Sequence, residues 1–527
     1  MIDAESEPPT DPHHAGERPS GTRAAIELDG LSVGLAEVAA AARGGLRATL
    51  APAARERVAA CRAAIESALA RGDAIYGVNT GFGDLATVRI PEERLLALQQ
   101  RLLLSHAAGM GEPLPDAVVR VMLLLRANTL ARGHSGVRPE LVDALLALLA
   151  HDALPVVPSR GSVGASGDLA PLAHLALPLI GHGRVRLRGR ELPARAALDE
   201  IGLAPLALGA KEGLALINGT QAMTALLALA ALEVRRLVRL ADLVGALSTD
   251  ALRGTDAAFD PRLHALRPHP GQLASAANLW RLLQGSAIRD SHRLGDVRVQ
   301  DPYSIRCMPQ VHGAARDLLA DVERRLAVEL NAVTDNPLVF PEDGEVVSGG
   351  NFHGEPVALA ADVLALGAAE LGAIAERRIE KLTNHAFSGL PPFLVEEAGL
   401  NSGFMIAQVT AAALASENKG LCHPASVDSI PTSADKEDHV SMGMGAALKL
   451  GQVTANTRRI LAIELLAAAQ GIDLLRPLRS SAPLEALHAA VRARVPAWTE
   501  DREMAPDLAA AEALLVAGVE EHIEGLE

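Results

Sequence analysis

Residues 222–247, 355–385 and 444–470 carry apolar side chains on more than one helical face. A helix that is apolar on several sides must be covered on several sides. Ala, Leu, Glu and Arg, all strong helix formers, dominate these stretches. They therefore fit the interior of a large bundle completed by association of subunits. The same composition, with apolar residues recurring at three and four, predicts further helices over 92–108, 115–131, 139–152, 314–332 and 402–419. In "DLLADVERRLAVELNAV", for example, Leu318, Leu319, Val322, Leu326, Val328 and Leu330 gather on one side. β-Branched alternation is sparse. "RVRLRG" (184–189) and "PLVFPEDGEVVSGG" (337–350) predict short hairpins. The expected fold is mainly α, a large helical bundle with a smaller N-terminal part carrying loops and a few short strands.

Two stretches, Gly213 to Leu232 and Ala398 to Ser416, are long and lack charge until their ends. Length alone would admit a membrane span. Both contain Asn, Gln or Thr, which are costly in lipid, so buried helices of a bundle are expected instead. The net charge of −15 disfavours nucleic acid as a partner. Cys61, Cys307 and Cys422 form no CxxC pair, which points to a reducing, cytoplasmic compartment. No HExxH or paired-Cys pattern suggests a metal. Residues 1–24 are polar and Pro-rich, lack a signal peptide's basic start and apolar run, and read as a disordered tail.

Glycine-rich polar islands interrupt the helices: "IYGVNTGFGDL" (75–85), "LSHAAGMG" (104–111), "GSVGASGDLAP" (161–171), "INGTQ" (217–221), "VQDPYSIRCMPQ" (299–310), "SGGNFHGEP" (348–356) and "SADKEDHVSMG" (433–443). Loops held on a rigid scaffold concentrate chemistry. The chain has only two tyrosines, Tyr76 and Tyr303, and each sits in an island. The 161–171 loop lacks the GK[ST] of a phosphate loop, and its surroundings are not a βαβ frame. Asp168 would also repel an anion at the following helix N-terminus. Two readings remain, a plain helix cap and a loop that reacts with itself. In the second, the Gly167 nitrogen attacks the Ala165 carbonyl in a tight bend, helped by the missing Cβ. Loss of one water closes a five-membered ring. Loss of a second from Ser166 leaves an exocyclic methylene, an electrophile that ordinary side chains do not supply.

"GSVGASGDLAPLAHLAL" closely resembles the prosthetic-group loop of the aromatic amino-acid ammonia-lyases, and the resemblance extends in order from about residue 25 to the C-terminal region. It implies an elongated helical bundle, a homotetramer with active sites shared between subunits, and the prosthetic group 4-methylidene-imidazole-5-one (MIO). It divides the chain into residues 25–235, with the MIO-forming loop, and a helical bundle over 236–527. By resemblance, Ala165, Ser166 and Gly167 cyclise and Asn218 orients the product. Tyr303 matches the base for the β-proton, Arg306 the carboxylate clamp, and Gln300 and Phe352 the pocket wall. Tyr76 matches a lid-loop tyrosine near the amino group. His106 and Glu437 match residues that hold an imidazole ring; His353, His423 and His439 read as structural.

The implied reaction is non-oxidative loss of ammonia from L-histidine to give trans-urocanate. A carboxylate at Glu437 favours imidazole N–H groups, because a phenyl ring would leave it unpaired at a cost of about 1–3 kcal/mol. A tyrosine or phenylalanine lyase, or an MIO-dependent aminomutase, would share most of these motifs.

Overall fold

The computed structural model describes residues 25–44, 46–72, 75, 78–80, 89–296 and 298–527. The tail over 1–24 and Tyr76 lie outside the described residues.

Four long helices form the centre: Gln221–Ala251, Met308–Glu329, Glu355–Thr383 and Gly443–Leu474. They pack against one another, with Pro270–Leu283 and Met405–Leu421 laid on their outer sides. The Glu355–Thr383 helix is long and apolar enough to cross a membrane, yet two-thirds of its apolar window is buried inside the chain. Its apolarity matches its neighbours, as expected for a core helix enclosed by others.

The N-terminal part surrounds one end of this bundle with shorter helices, among them Pro52–Ala70, Leu95–His106, Asp116–Ala131 and Pro139–Ala150. Its strands are short. Ala25–Leu28 pairs in parallel with Arg47–Leu50, and Met110–Pro113 pairs antiparallel with Pro158–Arg160. Both hairpins expected from sequence form: Arg184–Leu187 with Arg190–Pro193, and Leu338–Phe340 with Glu345–Val347. One continuous apolar core joins this part to the bundle. The Gln221–Ala251 helix runs unbroken across residue 235, so the division expected there falls inside a helix that both parts share.

The two uncharged stretches behave differently. Gly213–Leu232 is not one helix. It breaks at Asn218–Thr220, between the helices Glu212–Ile217 and Gln221–Ala251. The stretch expected as a buried helix over 398–416 becomes helical only at Met405. Within the chain that helix buries Ala407, Ala411 and Asn418, while Ile406 and Val409 are exposed. One of its faces meets the central helices, and the other is uncovered among the described residues.

A fully buried ion pair crosses the bundle. Arg378 donates to Glu464 through Nε (2.5 Å) and Nη2 (2.9 Å), and Ser248 Oγ donates to the same carboxylate at 2.6 Å. Arg378 Nη1 also reaches the Ser304 carbonyl at 3.3 Å, which anchors the short helix Tyr303–Arg306. Breaking one side of such a pair leaves an uncompensated charge, a loss of about 3–5 kcal/mol. Glu464→Ala is therefore expected to lower the unfolding midpoint far more than the double replacement Arg378→Met with Glu464→Leu. Thermal denaturation of the two variants checks this ordering.

Candidate active site

The 161–168 loop is compressed against the break between two helices. Gly167 has φ +69°, and a Cβ there would overlap the Gly219 carbonyl. Glycine alone permits this approach. Asp168 N–H donates to that carbonyl at 2.7 Å. Asn218 Nδ2 donates to the Ser166 carbonyl (3.0 Å) and lies 2.8 Å from Ser166 Oγ. Ala165 is buried.

Asp168 precedes the helix Leu169–Ala176, but its carboxylate caps a different one. Oδ2 accepts from Met223 N–H (2.9 Å) in the first turn of Gln221–Ala251, and Oδ1 accepts from Ser162 Oγ (2.8 Å). Burial pushes this carboxyl up to about 6, and the Met223 N–H and Ser162 hydroxyl pull back against that rise. The loop is held from its far side as well. Met442 N–H donates to the Val163 carbonyl at 2.8 Å, and Ser441 Oγ to the Gly164 carbonyl at 2.9 Å.

Three other islands converge on this loop. Gly354 N–H donates to the Gly164 carbonyl (3.3 Å), which brings the half-buried Phe352 two residues from a direct loop contact. His353 Nε2 donates to the His439 carbonyl at 3.1 Å, and the two rings lie parallel at 5.8 Å. That contact joins the Phe352 turn to the turn carrying Glu437. His106 ends the helix Leu95–His106, and Met110–Pro113 then pairs with the strand leading into the loop. Gly109 N–H also donates to His174 Nε2 (3.0 Å), on the helix that leaves the loop.

The Glu437 charge reaches His106. Burial lowers the His106 pKa, and a backbone contact at Leu102 and the Glu437 charge oppose that fall. A neutral imidazole at neutral pH follows. Glu437 sits in a strained turn in which Ser433, Ala434 and Asp435 have φ of 51°, 53° and 61°. Left-handed geometry costs non-glycine residues about 1–2 kcal/mol each. Paired backbone bonds between Thr432 and Glu437 (3.0 and 3.3 Å) hold the turn. Thr432 Oγ1 (2.6 Å) and Ser433 Oγ (2.9 Å) both donate to Glu437 Oε2. Neither hydroxyl was expected from sequence to touch this carboxylate.

Tyr303 and Arg306 stand apart from this cluster in the single chain. The Arg306 guanidinium lies over the Tyr303 ring at 4.6 Å, and Tyr303 is 69% exposed. Gln300 is exposed beside them. Asp301 Oδ2 accepts from Thr255 N–H (2.6 Å), and Arg298 reaches the Leu252 carbonyl (2.5 Å), which together anchor this loop. No hydrogen bond among the described residues joins Tyr303 or Arg306 to residues 161–168.

Residues 33–493 match the aromatic amino acid lyase family. The chain belongs to that family. It is 58% identical over 499 residues to the histidine ammonia-lyase of Anaeromyxobacter sp. (strain K), covering 93% of this chain and 98% of that one. The histidine ammonia-lyase of Deinococcus radiodurans is 58% identical over 476 residues, 90% of this chain and 91% of its own. The crystal structure of histidine ammonia-lyase from Trypanosoma cruzi superposes with a TM-score of 0.88 at 47% identity, covering 95% of each chain. Tyrosine aminomutase from Streptomyces globisporus superposes at 0.89 with 37% identity, covering 95% of this chain and 98% of its own. Lyases and aminomutases of this family thus share the scaffold described above.

The sequence reading missed the shell that holds the loop: the Asp168 contact to the far helix, Ser441, and Arg126 behind Asn218. Arg126 had a legible signal, as the one charge in the apolar run Val121–Ala131. Asp168 generates a pH prediction. Its folded pKa lies above the ordinary 3.8, so the folded state binds its proton more tightly than the unfolded chain. The stability contributed by this group falls as pH rises from about 4 to about 6, then levels. Asp168→Asn is expected to remove about one proton's worth of that slope, read from unfolding midpoints across the window.

Proposed function

We propose that this chain eliminates ammonia from L-histidine, giving trans-urocanate, the first step of histidine degradation. The observation that carries the reading is that Glu437, its Oε2 held by Thr432 and Ser433, lies near enough to His106 for its charge to act on that imidazole, on turns joined to the glycine-rich loop. It is supported by 58% identity to histidine ammonia-lyases over nearly the whole chain.

The residues present fit MIO. The Gly167–Gly219 approach bends the loop, Ala165 is small and buried, and Asn218 Nδ2 sits on both Ser166 oxygens. Ala165, Ser166 and Gly167 would form the group, with Asn218 holding its carbonyl, and when formed it supplies an electrophilic methylene. The rest of the work belongs to side chains. Glu437 accepts an imidazole N–H through Oε1, since Oε2 is engaged by Thr432 and Ser433. His106, neutral, presents a second polar contact to the ring. Phe352 and Gln300 line the pocket.

Arg306 pairs with the substrate carboxylate through its planar fork. Its Nε makes no hydrogen bond among the described residues. Tyr303 removes the β-proton, and the Arg306 guanidinium stacked on its ring ties the two side chains to one turn. Tyr76 serves near the amino group. The exposure of Tyr303, together with the uncovered face at Ile406 and Val409, supports a homotetramer in which subunits complete one another's sites. The free cysteines support a cytoplasmic setting.

Incubation with L-histidine is expected to release ammonia and trans-urocanate in equal amounts; accumulation of β-histidine instead would make the chain an aminomutase. Intact mass is expected to fall short of the sequence by two waters, and Ser166→Ala to restore the full mass and abolish turnover. Tyr303→Phe is expected to keep the two-water deficit and lose about 10²–10⁴-fold in kcat, as for removal of a general base. A cyclised Tyr303→Phe variant with near-normal turnover would move the proton transfer to Tyr76.

A further inference from the structure

Arg126 is fully buried on the helix Asp116–Ala131. No carboxylate among the described residues lies within ion-pair distance of it. The carboxylate whose charge bears on it, Asp335, is already paired with Lys211 at 2.6 Å. Its Nε and Nη2 make no hydrogen bond among the described residues. A desolvated cation without a counter-ion costs several kcal/mol, and burial pushes the guanidinium down to about 10. A methionine or leucine would fill the same space at no such cost.

The remaining nitrogen gives the charge a use. Nη1 donates to the Asn218 carbonyl (2.9 Å) and to Gln221 Oε1 (2.8 Å). Asn218 closes the helix Glu212–Ile217, where carbonyls lack helical partners and a cation complements the dipole. Gln221 opens the helix Gln221–Ala251. Gln221 Nε2 in turn donates to Thr129 Oγ1 (3.1 Å), on the same helix as Arg126, and to Thr334 Oγ1 (2.9 Å) in the loop after Glu329, so both anchor this joint. The guanidinium therefore sits in the break between two helices and bonds both ends. Asn218 is the residue whose backbone it holds, and the Asn218 side chain is the one that reaches Ser166.

We propose that Arg126 is a positioning residue for the Ala165-Ser166-Gly167 loop: it fixes the Asn218 backbone and thereby aims the Asn218 amide at Ser166. The proposal rests on the cyclising loop described above and assigns to it a residue that touches neither the loop nor a substrate. Rotation of the Asn218 peptide moves its side chain with it. Loss of the Arg126 clamp thus removes the donor from the Ser166 carbonyl during ring closure, and from the carbonyl of the finished group afterwards.

The test uses Arg126→Gln, which removes the charge, and Arg126→Lys, which keeps the charge and volume but lacks the planar fork. Each is scored on the folded fraction from size exclusion. The readouts are the rate at which chains acquire the two-water mass deficit, and kcat and KM for L-histidine per cyclised chain. Ring closure is expected to slow by about tenfold or more in both variants, the equivalent of about 1.4 kcal/mol. Cyclised chains are expected to show reduced kcat with KM little changed, a split that general destabilisation would not produce. Should Arg126→Gln not fold, Arg126→Lys decides by the same criteria. A folded variant that cyclises and turns over like wild type overturns the proposal. A wild-type chain without the mass deficit would instead overturn the reading of the loop itself.

Discussion

The close approach of Gly167 to Gly219 is the contact on which the rest of the site depends. The two backbones could not come so near if residue 167 carried a Cβ, and a Cβ at 219 would collide with Gln221, Arg126 and Thr334. Once they meet, Asp168 N–H finds the Gly219 carbonyl, the Asp168 carboxylate finds the start of the Gln221–Ala251 helix, and Asn218 finds Ser166. Each bond is modest, since a hydrogen bond nets about 1 kcal/mol. Together they join two loops far apart in sequence and leave the Ala165–Gly167 backbone little freedom. The proposed cyclisation would draw on such confinement, because the gain from holding reacting atoms in place is entropic.

Buried charge sustains that confinement. Asp168, Arg126, the Lys211–Asp335 pair and the Arg378–Glu464 pair are all enclosed, and enclosed charge is costly unless bonded. Arg126 and Asp168 bond the helix break at Asn218–Thr220 and the helix after it, and the Arg378–Glu464 pair anchors the turn carrying Tyr303 and Arg306. An all-apolar core would fold as well. It would not specify the angle of an amide or the direction of a guanidinium. The polar network places directional groups where apolar packing could only fill volume.

Among the described residues of one chain, some of the candidate site residues are brought together and others are not. The loop, Asn218, Phe352, His106 and Glu437 converge through direct bonds or short relays. Tyr303, Arg306 and Gln300 sit on a well-anchored turn that opens outward. The uncovered apolar side of the Met405–Leu421 helix has the same character. Both features are rational if the covering surface comes from another copy of the chain.

Much was legible without coordinates. Periodic apolar spacing located the long helices, because helical burial imposes it locally. The short runs at 184–189 and 337–350 located the hairpins, which form at 184–193 and 338–347. Of the glycine-rich islands, those at 104–111, 161–171, 217–221, 348–356 and 433–443 meet in the structure. What sequence could not decide was which helix the Asp168 carboxylate would cap, or why Arg126 is tolerated in an apolar run. It also overestimated the burial of residues 398–416, where apolar content reflects a face left open by this chain. Periodicity reports which side of an element is covered. Which partner covers it, and where a buried polar group finds its bond, depends on contacts between residues about 50 to 280 positions apart, and only the tertiary structure brings those together.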